Sequence, residues 1–229
     1  SPAILHDPAA VPWQAVDTRR LQTAAGTPRV TWLGHATVLI ETGGQRILTD
    51  PFLFERASPL AWLGPKRRTP LPLALADLPH IDAVLISHNH HDHLDVASLR
   101  ALAAQPGGAP RVLVPLGDAG WLRAAGLPGV EEMDWWQSLR LGAITLTFVP
   151  VQHWSKHFFE RGRDRSLWGG FVLSTPGWQA LFAGDTGYSP DFREIRRRLG
   201  AMDLALLPIG AYQPRWLTRR QHIDPAEAL

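Results

Sequence analysis

The 229-residue chain contains no cysteine. That absence excludes a disulfide framework and any thiolate metal site, so a metal bound here must be held by His, Asp or Glu. No stretch approaches 18 uninterrupted apolar residues, so the sequence offers no candidate transmembrane helix. The opening "SPAILHDPAAVPWQ" lacks the basic start and apolar middle of a signal peptide, which leaves open a leader removed upstream of Ser1. The formal charge of +2 is too small to imply a nucleic-acid partner. The clusters Lys66-Arg67-Arg68 and Arg196-Arg197-Arg198 read as solvated basic faces, with an anionic surface as the alternative. No repeat or low-complexity segment is present. Length and an apolar fraction of 45% make one domain the default. The Ala-, Arg- and Pro-rich composition suggests a bacterial chain, expected in the cytoplasm or at a membrane surface rather than secreted.

Residues 1–28 read as an irregular arm, and the texture changes at Arg29. "RVTWLGHATVLIET" and "QRILTDP" are β-branched and apolar on either side of Gly43-Gly44, which predicts a hairpin with a glycine turn. From Phe52 to Pro79 a proline-rich stretch without sustained period predicts a long loop, of the kind that is usually functional or mobile. "IDAVLIS", "RVLVPL" and "MDLALLPIG" are short apolar runs expected as buried strands. "LRLGAITLTFVPVQH" reads as a strand pair ending on His153, and "GWQALFAGDTGY" as a strand ending at Asp185. Helices are expected in "LDVASLRALAAQ", "GDAGWLRAAGL" and "DFREIRRRLG". Strands come first, then strand and helix units, so helices should pack outside a sheet core.

The chemistry concentrates in "HNHHDH", His88 to His93. Strand alternation would put His88 and His90 on one face, and a following helical turn would bring Asp92 and His93 around. A loop of that shape can aim two histidines at one ion and an Asp with a His at a second. Two-metal hydrolases hold their ions about 3.5–4 Å apart. With ten His and fourteen Asp in the chain, a chance H-x-H-x-D-H has odds of roughly one in a thousand, which favours metal binding over a solvated histidine-rich turn. His153 and Asp185 follow strands at suitable places, and a carboxylate can bridge two cations, which makes Asp185 the candidate bridge.

With these residues the chain resembles the metallo-β-lactamase fold superfamily, whose run is HxHxDH, a single His, a single Asp and a final His. The stretches "TWLGHATVLIE", "LTDPFLFERASP", "GPKRR", "LPHIDAVLISHNHHDHLD", "DWW", "QHW", "LWGGF", "FAGDTGY", "LPIGAYQPRW" and "HIDPAEA" make it similar, over about Arg29 to Leu229, to the N-acylphosphatidylethanolamine-hydrolysing phospholipase D family and its bacterial relatives. The resemblance implies an αββα sandwich, formed by residues 29–229. It implies that His88, His90 and His153 hold one zinc, Asp92 and His93 a second, and that Asp185 bridges the two Zn2+. Mn2+ or Fe2+ would suit the same donors. His222 matches a histidine near the metals that would contact the phosphate or the leaving group, and Asp92 and His222 are the expected catalytic pair.

Two departures from the family stand out. The family's last ligand is a His in an "HWGTF"-like stretch, whereas this sequence ends at Leu229, so the fold is expected to be truncated at its C-terminus. His91 stands where the mammalian enzyme carries Tyr, so phosphate contacts through that position would differ.

The expected reaction is metal-activated hydroxide attack on a phosphodiester, releasing phosphatidic acid and an N-acylethanolamine. Asp50 and His35 are expected to support metal-bound imidazoles through hydrogen bonds. His91, Trp62 and Phe158 are candidate substrate contacts, and most of the ten tryptophans are expected in the core. Expected partners are a phospholipid substrate, a membrane surface bound peripherally and a second copy in a homodimer, with no nucleic acid. Another ester substrate (lactone, cyclic nucleotide or sugar phosphate) and a non-catalytic zinc module are the alternatives.

Overall fold

The computed structural model describes residues 13–23, 25–57, 64–157 and 162–229. Among them, one sheet runs in the order β1 (Arg29–Gly34), β2 (Thr37–Thr42), β3 (Gln45–Thr49), β4 (Ala83–Leu85), β5 (Arg111–Pro115), β6 (Val130–Met133). The first three strands form an antiparallel meander and the rest are parallel. A second sheet contains β7 (Ser138–Leu141), β8 (Ile144–Val149), β9 (Gly170–Thr175), β10 (Trp178–Phe182) and β11 (Leu204–Leu206), with β11 and β7 at its edges. The helices are α1 (Thr18–Leu21), α2 (Val96–Ala103), α3 (Ala119–Ala124), α4 (Asp191–Leu199) and α5 (Arg215–Thr218).

Successive side chains in a strand point to opposite faces, and here the two faces of each sheet enter different cores. Ile40, Ile47, Leu85 and Leu113 of the first sheet meet Leu146, Phe148, Phe171 and Phe182 of the second in one buried cluster between the sheets. Their neighbours Leu39, Leu48, Val84, Val112 and Val114 point outward and are covered by Leu99 and Leu102 of α2 and Leu122 of α3. On the far side, Val172 and Leu181 lie under Ile195 of α4. Each fully buried Leu or Ile of these layers contributes about 1.5–3 kcal/mol. The result is the expected αββα sandwich.

Several local expectations need correction. "RVTWLGHATVLIET" is two strands, broken at Gly34-His35-Ala36 where the register shifts; the Gly43-Gly44 hairpin joins β2 to β3. Among the described residues β11 pairs with β10 alone and is partly exposed, not the buried strand expected. β6 and β9 carry no sequence signal strong enough to predict them. The arm contains the helical turn α1, capped by Asp17, and its Leu21 is buried in the core under Arg46, whose Nη2 donates to the Leu21 carbonyl. The long loop holds a bridge between Arg56 and Lys66 and buries Leu53, Leu73 and Leu78. None of the nine described tryptophans is fully buried, but Trp121, Trp135, Trp136 and Trp178 pack partly buried against the cores. No helix among the described residues is long and apolar enough to cross a membrane.

Candidate metal centre

The site forms where four strand ends converge. β3 and β4 are parallel neighbours, so Asp50, just past β3, lies beside the chain leaving β4. Its N–H donates to the Leu85 carbonyl (2.9 Å), and its carboxylate accepts from the Ser87 N–H (2.7 Å). His88 follows outside any strand or helix, and His90 stands at a bend. The chain then turns, with His93 N–H and Leu94 N–H both donating to the His90 carbonyl (3.0 and 2.8 Å), which swings Asp92 and His93 around to the same side. Asp95 ends the turn by capping α2, accepting from the Ala97 and Ser98 N–H groups. In the second sheet β9 is antiparallel to both β8 and β10, so those two strands run the same way. His153 and Asp185 therefore leave at one edge. Gly169 N–H donates to the Ser87 carbonyl (2.9 Å), stitching that edge to the first sheet. Gly184, at φ +60°, packs so closely on Ser87 that a Cβ would overlap its side chain.

Six of the expected ligands are brought together. Nδ1 of His90 lies 2.8 Å from Nε2 of His88 and 3.4 Å from Nε2 of His153. Donor atoms held at about 2.0–2.1 Å by one tetrahedral zinc sit roughly 3.3–3.4 Å apart, so these three nitrogens fit one ion. Each ring is oriented from behind. His153 Nδ1–H donates to the Gln221 carbonyl (3.2 Å) and His88 Nδ1–H to Ser87 Oγ (2.9 Å), while Ser87 Oγ donates to Asp50 Oδ2 (2.5 Å). The His90 ring packs edge-on against Trp154.

A second group adjoins the first. His93 donates from Nδ1 to the fully buried Asp50 (2.7 Å), which leaves its Nε2 facing Asp185 Oδ2 (3.4 Å) and Asp92 Oδ2 (3.7 Å). That Nε2 is buried without a hydrogen-bond partner, as a ligand nitrogen awaiting a cation would be. His35 Nε2 lies 3.0 Å from Asp92 Oδ2, and His222 Nδ1 lies 3.7 Å from Asp185 Oδ2. His222 is held by its own backbone, whose carbonyl accepts from Arg215, itself paired with Glu227.

Burial and neighbouring imidazoles lower the pKa of His90 to about 4 and of His153 to about 3, and hold His88 well below the ordinary value. All three are neutral at pH 7, with lone pairs free for a cation. At His93 burial opposes protonation, but Asp185, Asp92 and Asp50 outweigh it and raise the pKa well above normal. Burial pushes Asp50 up. The charge of His93 overcomes the burial of Asp92 and Asp185 and holds both well below the ordinary carboxylate range. A proton on His93 thus offsets the surplus of carboxylates, a task that a divalent cation would take over. The donor set fits metal on both counts.

A cavity of about 1020 Å³ opens over the cluster. His90, Asp92, His153, Asp185 and His222 line it together with the apolar Val38, Phe182, Leu206, Leu207 and Ile209, and Arg68 joins them. His91 is not part of this lining; its ring lies 5.2 Å from that of His157. Trp62 and Phe158 fall outside the described residues. Arg67, expected as a solvated charge, is instead half-buried, its guanidinium donating to the carbonyls of Leu33, Phe52 and Thr69 and so tying the long loop to the β1–β2 corner. Sequence reasoning missed Ser87 and the Gln221 carbonyl; Ser87 had one signal, its place directly before the histidine run.

Residues 45–229 match the family described as beta-lactamase superfamily domain. The chain belongs to the beta-lactamase superfamily. Within it, the chain is 44% identical over 202 residues to an uncharacterized protein of Mycobacterium tuberculosis, covering 87% of this chain and 53% of that one. It is 37% identical over 211 residues to N-acyl-phosphatidylethanolamine-hydrolyzing phospholipase D 1 of Caenorhabditis elegans, with 87% and 58% covered. A UPF0173 metal-dependent hydrolase of Anaeromyxobacter sp. (strain K) is 30% identical over 200 residues, with 83% and 68% covered. The chain thus spans little more than half the length of the first two relatives. Among solved structures, CmlA, a diiron beta-hydroxylase from Streptomyces venezuelae, shares the fold with a TM-score of 0.63 at 24% identity, over 90% of this chain and 42% of that one. The chain shares with these relatives the superfamily fold and carries a candidate His/Asp metal site.

Proposed function

We propose that the chain carries the metal centre of a phospholipase D-type phosphodiesterase that cleaves N-acylphosphatidylethanolamine. The observation that carries this reading is a single cavity lined both by the metal-binding cluster with Arg68 and by apolar side chains. Its volume lies at the upper end for small-molecule sites, which suits a lipid headgroup with the beginnings of its chains. The name of the C. elegans relative supports the same substrate.

His88, His90 and His153 would hold one zinc and Asp92 and His93 another, with Asp185 between them; manganese or iron would also fit the donors. Such ions polarise phosphoryl oxygens and lower the pKa of water toward about 7. The protein's own groups do the rest. Asp50 and Ser87 fix the His93 and His88 rings with their Nε2 lone pairs inward. Arg68 offers positive charge to the phosphate, and the apolar lining receives acyl chain. Water adds to phosphorus, the bond from phosphorus to the N-acylethanolamine oxygen breaks, and His222 is placed to return a proton to that oxygen. Phosphatidic acid and N-acylethanolamine are the products.

The test compares turnover of N-acylphosphatidylethanolamine, phosphatidylcholine and bis(p-nitrophenyl) phosphate by the zinc-loaded protein, with products identified by mass spectrometry. Preference for the first substrate with both products is expected. Hydrolysis of the small diester alone would reject the lipid assignment while keeping the metal-dependent hydrolase.

A further inference from the structure

We infer that Trp154 is the positioning residue for His90: its indole face accepts the outer N–H of that imidazole and so keeps Nδ1 turned toward the first metal. This assignment rests on the metal centre of the proposed function and is independent of the substrate.

One candidate ligand lacks the support that the others have. A metal-bound imidazole almost always donates its other N–H to a carboxylate, a carbonyl or water. His93 donates to Asp50, His88 to Ser87 Oγ and His153 to the Gln221 carbonyl. His35, expected to take one of these N–H groups, takes none; its Nε2 supports the Asp92 carboxylate instead (3.0 Å). His90 remains. Its Nδ1 sits among the ligand nitrogens, 2.8 Å from Nε2 of His88 and 3.4 Å from Nε2 of His153, so the tautomer that binds metal carries its proton on Nε2. That Nε2 is buried with no hydrogen-bond partner among the described residues. A buried N–H without an acceptor is costly, and native structures rarely keep one.

Trp154 supplies an acceptor of another kind. Its ring lies 4.2 Å from that of His90, centroid to centroid, with the planes 70° apart. Edge-to-face aromatic pairs usually stand about 4.5–7 Å apart, so this one is close, as a small imidazole set edge-on against an indole would be. The negative face of an indole accepts an N–H as a weak hydrogen bond. The Nε1 of Trp154 is itself buried with no hydrogen-bond partner among the described residues, so no hydrogen bond of its own edge sets the place of the ring.

The surroundings set it instead. Arg163 lies over the indole, its Cζ 3.8 Å from the ring centroid. The loop that carries Arg163 is fastened to the residue after Trp154: Asp164 N–H donates to the Ser155 carbonyl (2.9 Å), Ser155 N–H to the Asp164 carboxylate (3.2 Å) and Ser155 Oγ to the Ser166 carbonyl (2.6 Å). Guanidinium, indole and imidazole thus pack in contact, one on the next, up to the metal cluster. Trp154 also lines the cavity, so the test reads the imidazole itself rather than turnover.

The test labels histidine with nitrogen-15 and records the imidazole N–H signals of the zinc-loaded protein. The Nε2–H of His90 should appear upfield of the other imidazole N–H signals, shielded by the indole face, with nuclear Overhauser contacts to the Trp154 ring protons. Trp154→Phe keeps an aromatic face and should hold the first zinc within about twofold of wild type. Trp154→Leu removes the face: the signal should move downfield and exchange faster with water, and the first zinc should bind about two- to fivefold more weakly in chelator competition, the worth of one weak hydrogen bond. Wild-type signal and affinity in Trp154→Leu would overturn the assignment, as would Trp154→Phe that loses as much as Trp154→Leu. Should Trp154→Leu not fold, the wild-type spectrum decides alone: a His90 signal without the upfield shift, or a proton on its Nδ1 in the zinc-loaded protein, overturns the assignment and leaves the metal centre standing. A chain that binds no zinc removes both.

Discussion

Replacing Asp50 by Asn keeps the size of the side chain and changes which protons sit on two histidines at once. The carboxylate accepts three hydrogen bonds, from Ser87 N–H, Ser87 Oγ and His93 Nδ1. An amide oxygen can keep the first of these. The amide nitrogen must then donate toward Ser87 Oγ and His93 Nδ1. Ser87 in turn has only His88 Nδ1 left to receive its proton. Both imidazoles are driven to the tautomer that carries hydrogen on Nε2, which faces the metal cluster. Loss of such orienting partners typically costs 10–100-fold in metal affinity, about 1.4–2.8 kcal/mol at each ion. Folding stability should change far less, because removing a fully buried carboxylate also removes its desolvation penalty. The assay is competition with a fluorescent zinc chelator on the purified variant, with circular dichroism to establish that it is folded. Asp50→Asn that binds both ions within threefold of wild type would refute the tautomer argument.

Four shorter expectations follow from the same geometry. Chelation should abolish turnover and zinc should restore it, while zinc at 100 times its dissociation constant should add about 2.7 kcal/mol per site to stability, read as a rise in the urea midpoint; activity undiminished after chelation would contradict a metal-dependent mechanism. In the metal-free protein His90 and His153 titrate at about 4 and about 3 when folded against 6.5 when unfolded, so the unfolded chain takes up protons that the native one refuses and stability falls as pH drops from about 6.5 toward 4. His93, raised in the fold, is charged in both states across that window and adds no slope, and burial-raised Asp50 offsets part of the loss at its lower end; a urea midpoint that rises from pH 6.5 to 5 would contradict the assignment. Gly184→Ala should cost about 1–3 kcal/mol, because it combines a left-handed backbone with overlap against Ser87, and should lower activity by displacing Asp185, as thermal melts and initial rates will show. Trp216 and Leu217 are exposed beside Arg219 and Arg220, so replacing both apolar residues by Ala should reduce flotation with anionic liposomes; equal flotation would place any membrane contact elsewhere.

What the sequence made legible, and what it hid, follows from how local each signal is. The metal run reads directly because strand alternation and one helical turn act within six residues, and the observed turn at His90–His93 is that geometry. His153 and Asp185 could be paired with it only because both end apolar strands. β6 is hidden by its two glutamates, which serve neighbouring segments: Glu131 pairs with Arg111 and Glu132 accepts from the Gly117 and Ala119 N–H groups. β9 begins on Gly169-Gly170, a pair that reads as a turn. The Gln221 carbonyl that orients His153 has no side-chain signature at all. His91 falls on a spacer position of H-x-H-x-D-H, and the cavity lining leaves it out as that spacing implies. Arg67 shows that a basic triplet is not one surface: its middle residue is spent on backbone carbonyls within the fold.

The candidate ligands come from both sheets, four from the loop after β4 and one each from beyond β8 and β10. An ion bound there is a rivet through two plates at one margin. With the rivet in place, prying the sheets apart at that margin requires breaking coordinate bonds, whereas the opposite margin is held by side-chain packing and a hydrogen bond from Arg111 Nη1 to the Arg140 carbonyl (3.2 Å). Loss of metal should therefore loosen the sandwich asymmetrically, like a book opening from its fore-edge, and expose Phe171 and Phe182 before Leu141 and Ile144.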